Sequence, residues 1–126
     1  MEGKLIAIGR IETPYGSLDE CPRNVDPDGP PCELILDPPY EKALEGLGPG
    51  DRVLILYWFE GADRSRLTQH RHGGGPLRGT FALRSPHRPN PIAAAALPIV
   101  SIEGNRIVVR GMDCLDGTPL LDIKPA

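Results

Sequence analysis

Residues 51–59 read Asp-Arg-Val-Leu-Ile-Leu-Tyr-Trp-Phe, and this near-continuous apolar run decides the fold. Its length and its β-branched and aromatic content predict a strand that is buried on both faces. Shorter extended segments are predicted on both sides of it, at residues 4–11, 33–36, 80–84, 92–102, 106–112 and 120–123. Many short strands separated by turns predict a mainly β protein, built as an antiparallel barrel or a sandwich.

Turn-forming residues interrupt the chain at short intervals. It contains 15 Gly and 15 Pro in 126 residues, about twice the usual share, which argues against long helices. Residues 38–47 are predicted as one short helix with Asp37 as its N-cap. Residues 12–32 and 60–78 are predicted as loops. A glycine-rich loop as long as 60–78 inside a small domain is typically functional or mobile.

Length and composition limit the class of protein. A chain of 126 residues with 40% hydrophobic content is expected to form a single domain over 1–126 with a real core. No apolar stretch reaches the length of a membrane span, and the first residues lack the apolar core of a signal peptide, so we expect a cytoplasmic protein without membrane contact. The three cysteines, Cys21, Cys32 and Cys114, are odd in number and lack zinc-type spacing, so neither disulfides nor a metal site are expected.

Positive charge is concentrated in one part of the chain. The net charge is −3, yet residues 64–101 contain no Asp or Glu. This stretch carries six arginines and all three histidines: Arg64, Arg66, Arg71, Arg78, Arg84, Arg88, His70, His72 and His87. A one-sided positive field attracts a phosphate-rich partner. The alternative is a solvated loop whose arginines pair with acids elsewhere on the surface.

Prolines stiffen the segment that we call the proline loop, residues 85–91. They lock the backbone around several polar side chains, and a rigid loop loses little entropy on binding. The polar side chains held in this way belong to Arg84, His87, Arg88 and Asn90. The segment therefore predicts a site for an anionic or polar ligand.

Three further polar segments have both a structural and a functional interpretation. Asp-Gly-Thr-Pro at residues 116–119 is a turn former, and so is Cys-Pro-Arg-Asn at 21–24. Asp122 and Lys124 project from one side of the last predicted strand, either as a surface ion pair or as residues of a site.

Four motifs resemble, in the same order, those of the TsaA-like family, also called YaeB-like. They are Ile-Gly-Arg-Ile-Glu-Thr-Pro-Tyr at 8–15, Trp-Phe at 58–59, Gly-Thr-Phe-Ala-Leu-Arg-Ser-Pro-His-Arg-Pro-Asn-Pro-Ile at 79–92 and Leu-Asp-Gly-Thr-Pro-Leu-Leu-Asp-Ile-Lys-Pro at 115–125. Together they span nearly the whole chain. The resemblance implies a small β-barrel with one or two short helices, long loops and a homodimeric state. Longer members continue into a C-terminal domain after the last motif, and that domain is not expected here.

The resemblance also implies an activity. The best-known members, the TrmO group, use S-adenosylmethionine to methylate N6 of threonylcarbamoyl-adenosine next to the tRNA anticodon, so the implied partner is the tRNA anticodon loop. The implied cofactor contacts are Pro22, Arg23, Asn24, Phe59, Glu60, Gly61, Arg84, Ala94, Leu115, Asp116, Gly117 and Thr118. Two positions depart from the family pattern. Glu60 stands where members often have His, and four alanines at 93–96 follow the proline loop.

Substrate contacts and a catalytic candidate follow from the same resemblance and from charge. The expected substrate contacts are Arg88, Asn90, Lys124, Arg64, Arg66 and Arg71. Asp116 is the candidate catalytic residue, because it can accept a hydrogen bond from a ribose hydroxyl or take a proton from the attacking nitrogen. Methyl transfer depends mainly on positioning. Tyr57, Trp58 and Phe59 are candidates for stacking on a splayed base, with core packing as the alternative. Two other functions stay open, a non-catalytic cofactor-binding module and a methyltransferase of small molecules.

Overall fold

The computed structural model describes residues 1–71 and 73–126, so the predicted basic residue His72 lies outside the described residues. The described residues form nine strands. They are β1 Gly9–Glu12, β2 Pro31–Leu36, β3 Arg52–Trp58, β4 Thr68–His70, β5 Leu77–Gly79, β6 Ile92–Pro98, β7 Ser101–Glu103, β8 Arg106–Arg110 and β9 Thr118–Pro125. Three short 3₁₀ turns accompany them, at Leu18–Glu20, Pro38–Leu44 and Thr80–Ala82. None of these turns is long and apolar enough to cross a membrane.

Seven of the strands form one antiparallel sheet in the order β6-β3-β9-β1-β2-β8-β7. The two edge strands, β6 and β7, are consecutive in the chain, and only residues 99–100 separate them. Seven strands laid flat would place these edges about 29 Å apart, whereas three peptide steps reach only about 10 Å. The sheet must therefore curl strongly, and β6 does contact β8.

The curled sheet does not close into a barrel. Among the described residues, β6 pairs as a strand with β3 alone and β7 pairs with β8 alone. Beyond β7, the amide of Val100 donates to the carbonyl oxygen of Val108 at 2.8 Å, which carries the β8 ladder one step toward β6. The prediction of a mainly β, antiparallel protein is confirmed, and the closed barrel is not.

Strand β3 is the central apolar element, as predicted, but only one of its faces is fully buried. Val53, Ile55 and Tyr57 are at most 3% exposed, whereas the alternate residues Leu54 and Leu56 are only half-buried. An antiparallel sheet with one face on the core produces this alternation. The prediction of burial on both faces is therefore wrong. The buried face packs against apolar side chains from six other strands, including those of Ile11, Leu34, Leu97, Ile107 and Leu120.

The segment 60–78, predicted as one long loop, contains the two-stranded β4–β5 hairpin. Gln69 of β4 is 8% exposed. Its side-chain Nε2 donates to Thr80 Oγ1 at 3.0 Å and to the carbonyl oxygen of His87 at 2.8 Å. A buried amide requires such partners. The hairpin is thereby joined to the proline loop, although three-residue strands without apolar alternation gave no signal in the sequence.

Residues 80–84, predicted as a strand, instead begin with the 3₁₀ turn Thr80–Ala82. The Thr80 hydroxyl donates to the carbonyl oxygen of Arg66 at 2.9 Å, and the amide of Leu83 donates to the Thr80 carbonyl at 3.1 Å. The bond between Leu83 and Thr80 closes the turn locally, and the Thr80 hydroxyl fixes the turn to the segment that precedes β4. The turn leaves the Phe81 ring 82% exposed.

The other predicted elements exist with different ends. The helix predicted at 38–47 is the shorter turn Pro38–Leu44, and Asp37 is its N-cap residue without a side-chain capping bond. Two strands begin at other residues than predicted: β1 begins at Gly9 rather than residue 4, and β2 begins at Pro31 rather than 33. Strand β8 ends at Arg110 rather than 112, and β9 covers Thr118–Pro125 rather than 120–123. The extended segment predicted at 92–102 is divided between β6 and β7.

Gly9 is required where β1 approaches β2. A Cβ atom built on Gly9 would lie 2.0 Å from the carbonyl oxygen of Ile35. We expect Gly9→Ala to lower the free energy of unfolding by about 3 kcal/mol or more, because two backbones must separate. Gly48→Ala is the control, since no atom lies within 4 Å of its Cβ position, and it should change stability by no more than about 1 kcal/mol. Urea unfolding measures both, and equal effects would contradict the close approach.

Candidate functional site

A pocket opens where the end of β3 meets the segment that leads into β9. One side of it, the β3 wall, is formed by residues 58–60, and the other, the β9 wall, by residues 114–119. The lining residues are Leu18, Trp58, Phe59, Glu60, Cys114, Leu115, Asp116, Gly117, Thr118 and Pro119. The pocket combines aromatic and aliphatic surface with two exposed carboxylates, the usual make-up of a small-molecule site.

The β9 wall is fastened to the loop that follows β1. The amide of Thr13 donates to Asp116 Oδ1 at 3.1 Å, and the Thr13 hydroxyl donates to the carbonyl oxygen of Cys114 at 2.8 Å. The amide of Asp116 donates in turn to the carbonyl oxygen of Tyr15 at 2.9 Å. These bonds cross about a hundred residues of sequence, and they fix the direction of the Asp116 carboxylate.

The β3 wall presents two aromatic rings held from outside the pocket. The guanidinium carbon of Arg64 lies 5.5 Å from the centroid of the Trp58 ring, a cation–π distance. Phe59 meets the His87 ring edge to face with 6.3 Å between centroids, and its amide donates to the carbonyl oxygen of Pro91 at 2.9 Å. The wall is therefore braced by the proline loop.

Arg64 connects this wall to the proline loop. Its Nε donates to the carbonyl oxygen of Pro89 at 2.7 Å, and its Nη2 donates to Asn90 Oδ1 at 3.3 Å. Next to it, the amide of Asp63 donates to His87 Nδ1 at 3.0 Å. Arg64 and Asn90, both expected to contact substrate, thus bind one another within the protein.

Two more arginines of the basic stretch bind backbone carbonyls. Arg84 Nη1 donates to the carbonyl oxygen of Ala94 at 3.2 Å, which brings together two of the expected cofactor contacts. Arg88 Nη1 donates to the carbonyl oxygens of Leu83 and Ser85 at 2.9 and 3.0 Å. Arg88 therefore closes the start of the proline loop on itself.

Two expected substrate contacts form surface ion pairs. Arg66 lies 3.1 Å from Asp63 and Lys124 lies 3.1 Å from Asp122, with all four side chains about half exposed. Hydrogen bonds from Ser65 and then from Arg66 hold the pKa of Asp63 at about 2. Pairs this exposed contribute little stability. Lys124 also lies five residues along β9 from Pro119, the nearest lining residue, roughly 17 Å away, so the structure does not bring it to the site.

Half of the expected cofactor contacts lie on one pocket. These are Phe59, Glu60, Leu115, Asp116, Gly117 and Thr118. The other half are outside the lining formed by the described residues, namely Pro22, Arg23, Asn24, Gly61, Arg84 and Ala94. Sequence reasoning missed Leu18, Cys114 and Pro119. The last two flank the Asp-Gly-Thr motif and could have been found by extending it, whereas Leu18 belongs to a turn that no motif marks.

Cys114 faces the pocket but is not suited to act as a nucleophile. It is 4% exposed, and burial raises the pKa of its thiol to about 12. Only the thiolate attacks carbon efficiently, and almost none is present at neutral pH. The chemistry of this pocket therefore consists of binding and orienting ligands, together with the acceptor oxygens of Glu60 and Asp116.

Comparison with known proteins identifies one matching family and several related proteins. Residues 10–126 match the family described as the tRNA-methyltransferase O N-terminal domain. A protein of Rhizobium radiobacter, named "Probable S-adenosyl-L-methionine-binding protein VirR", is 43% identical over 124 residues, which are 98% of this chain and 71% of that protein. A protein of Archaeoglobus fulgidus, named "S-adenosyl-L-methionine-binding protein", is 34% identical over 117 residues, 93% of this chain and 84% of its own length.

The fold matches solved structures as well. The crystal structure of TrmO from Pseudomonas aeruginosa superposes with a TM-score of 0.78 at 35% sequence identity. The match covers all of this chain and 55% of the TrmO chain. This chain therefore spans about half the length of the solved protein that it resembles.

Arg64 should control the β3 wall, and Arg66 should not. Arg64→Ala removes a cation–π contact and two hydrogen bonds, so we expect a loss of about 1–2 kcal/mol in stability. The same change should alter the emission of Trp58, the one tryptophan of the chain, and make it easier to quench with acrylamide. Arg66→Ala removes only an exposed ion pair and should leave the emission unchanged. The same quenching in both variants would show that Arg64 does not hold the indole.

Proposed function

The chain belongs to the family of tRNA-methyltransferase O N-terminal domains, and we propose that it is an S-adenosylmethionine-dependent methyltransferase acting on N6 of threonylcarbamoyl-adenosine beside the tRNA anticodon. One observation carries the proposal. Two motifs more than fifty residues apart, at 58–60 and 114–119, form the two walls of one pocket. The names of the two relatives support the cofactor, and the name of the family supports methyl transfer.

The residues of the pocket fit this cofactor. S-adenosylmethionine supplies a methyl group on a positively charged sulfur. The rings of Trp58 and Phe59 and the side chain of Leu115 offer apolar surface suited to an adenine and to the carbons around the sulfur. The exposed carboxylates of Glu60 and Asp116 make the pocket negative, which favours a cation. Glu60 therefore suits the cofactor, although family members often have His at this position.

Asp116 is the candidate catalytic residue. Thr13 holds one of its oxygens, and the other has no hydrogen-bond partner among the described residues. A carboxylate fixed in this way can take the proton that leaves the attacking nitrogen, or it can accept a hydrogen bond from a ribose hydroxyl. The two roles differ in what a loss of charge would do.

Asp116→Asn separates the two roles. If Asp116 takes the proton, as we expect, the variant should bind S-adenosylmethionine within about threefold of the parent, and transfer of labelled methyl to total tRNA should fall by roughly 10²–10⁴-fold. Weakened binding with a matching loss of transfer would instead assign Asp116 to the ribose. Asp122→Asn, on the surface of β9, is the control. Calorimetry and methyl counting measure both quantities, and an unaltered Asp116→Asn variant would exclude both roles.

The β4–β5 hairpin is the surface we propose for tRNA. Arg64, Arg66 and Arg88 bind partners within the protein, whereas Arg71 and Arg78 are exposed on the hairpin. They lie on either side of its glycine-rich tip. Guanidinium groups at a projecting tip can reach phosphates without displacing a contact inside the protein.

Replacing Arg71 and Arg78 together by Ala should weaken tRNA binding. Two lost phosphate contacts should reduce the slope of log affinity against log salt by roughly 1.4–1.8. S-adenosylmethionine affinity should not change, because the hairpin does not line the pocket. Arg10→Ala with Arg106→Ala removes the same charge from ion pairs on β1 and β8 and should leave the slope unaltered. Equal slopes in the two double variants would assign the RNA surface elsewhere.

A second function has its own support. The names of the two relatives mention binding of S-adenosylmethionine and no reaction, which fits a module that binds the cofactor without catalysis. Cofactor binding without methyl transfer to tRNA or to small molecules would favour it.

The homodimer is likewise a proposal. A second copy would cover the exposed apolar side chains of Leu67, Leu77 and Phe81, and sedimentation would detect it.

A further inference from the structure

We propose that Tyr57 and Asp113 form a positioning pair that fixes the spacing between the two walls of the pocket and so sets the affinity for the methyl donor. This inference rests on the proposed function for its ligand. It assigns a role to two residues outside the pocket lining, neither of which belongs to the four family motifs.

The hydrogen bond of this pair connects the residues that directly precede the two walls. The Tyr57 hydroxyl donates to Asp113 Oδ1 at 2.5 Å across 56 residues of sequence. Tyr57 comes directly before the β3 wall, and Asp113 comes directly before the β9 wall. Because each residue is one peptide unit from its wall, we infer that this bond restrains the distance between the two walls.

The backbone ladder between β3 and β9 ends at the same place. Leu56 pairs with Asp122 and Tyr57 pairs with Leu120, so β9 carries one extra residue, a bulge, next to Tyr57. Bulges redirect neighbouring side chains and are common beside functional sites. Tyr57 is also the last β3 residue paired with β9. Beyond it, the bond between the two side chains continues the link that the ladder no longer supplies.

The bond between Tyr57 and Asp113 is partly buried, and neither residue lines the pocket. Tyr57 is 3% exposed, and burial raises the pKa of both its phenol and the Asp113 carboxyl. A hydrogen bond shielded from water is stronger than the same bond at the surface. Tyr57 has little exposed surface and is outside the pocket lining, so we do not expect it to contact a substrate. Tyr57 therefore acts through the walls as a positioning residue.

Tyr57→Phe tests the proposal, with Tyr40→Phe as the matched control. Tyr40 also packs partly buried against the core, but it lies on the Pro38–Leu44 turn and outside the pocket lining. We expect Tyr57→Phe to weaken S-adenosylmethionine binding at least tenfold by calorimetry and to increase acrylamide quenching of Trp58. Tyr40→Phe should change neither quantity. Thermal unfolding of both variants shows how much folded protein each measurement contains.

Variants of Asp113 test the same bond from its other end. Asp113→Asn retains an acceptor and should stay within about threefold of the parent affinity, whereas Asp113→Ala should match Tyr57→Phe. The double variant Tyr57→Phe with Asp113→Ala should bind no more weakly than the weaker single variant, since both remove one interaction. If Tyr57→Phe does not fold, the two Asp113 variants carry the test.

The possible outcomes separate this proposal from the proposed function. If the folded Tyr57→Phe protein binds the cofactor like the parent, or if only its unfolding temperature changes, the pair is structural and the inference is overturned. If the parent protein itself binds no S-adenosylmethionine, the proposed function fails. The quenching of Trp58 then decides alone whether the pair holds the walls.

Discussion

The short connection between β6 and β7 is the constraint on which the architecture depends. Two residues must join the opposite edges of a seven-stranded sheet, and a flat sheet cannot satisfy this. The curl gives the core one enclosed face. Because β3 runs antiparallel to both β6 and β9, the end of β3 lies beside the beginnings of those two strands, with Trp58 opposite Ile92 and Tyr57 opposite Leu120. Three motifs distant in sequence therefore meet at one rim.

The sequence predicted the elements whose signal is local. The apolar run of β3 and the extended segment that begins at Arg106 lie where they were expected. The curl could not be predicted, since it follows from which strands pair and not from any one segment. The β4–β5 hairpin was missed because Gln69 fills its buried position in place of an apolar residue. The turn at Thr80–Ala82 was missed because the Thr80 hydroxyl bonds to Arg66, which is 14 residues away in sequence.

The sequence likewise predicted some residues of the candidate site and not the roles of others. Motif resemblance pointed to Phe59, Glu60 and the Asp-Gly-Thr turn, which do lie on one pocket. The roles of the arginines could not be predicted, because a sequence shows the charge of a side chain and not its partner. Arg64 supports an indole and a loop although its side chain is exposed. The bond between Tyr57 and Asp113 was equally hidden, since it joins residues that are 56 apart in sequence and belong to no common motif.

The Gln69 side chain couples the β4–β5 hairpin to the pocket through a short series of contacts. Its amide holds the carbonyl of His87, and the His87 ring rests against Phe59 of the β3 wall. A ligand that orders the hairpin and a ligand that orders Phe59 act on one connected set of contacts. Linkage requires any resulting cooperativity to be reciprocal, so each ligand would change the affinity of the other by the same factor. The order in which the two ligands bind would then affect rates but not the final occupancy.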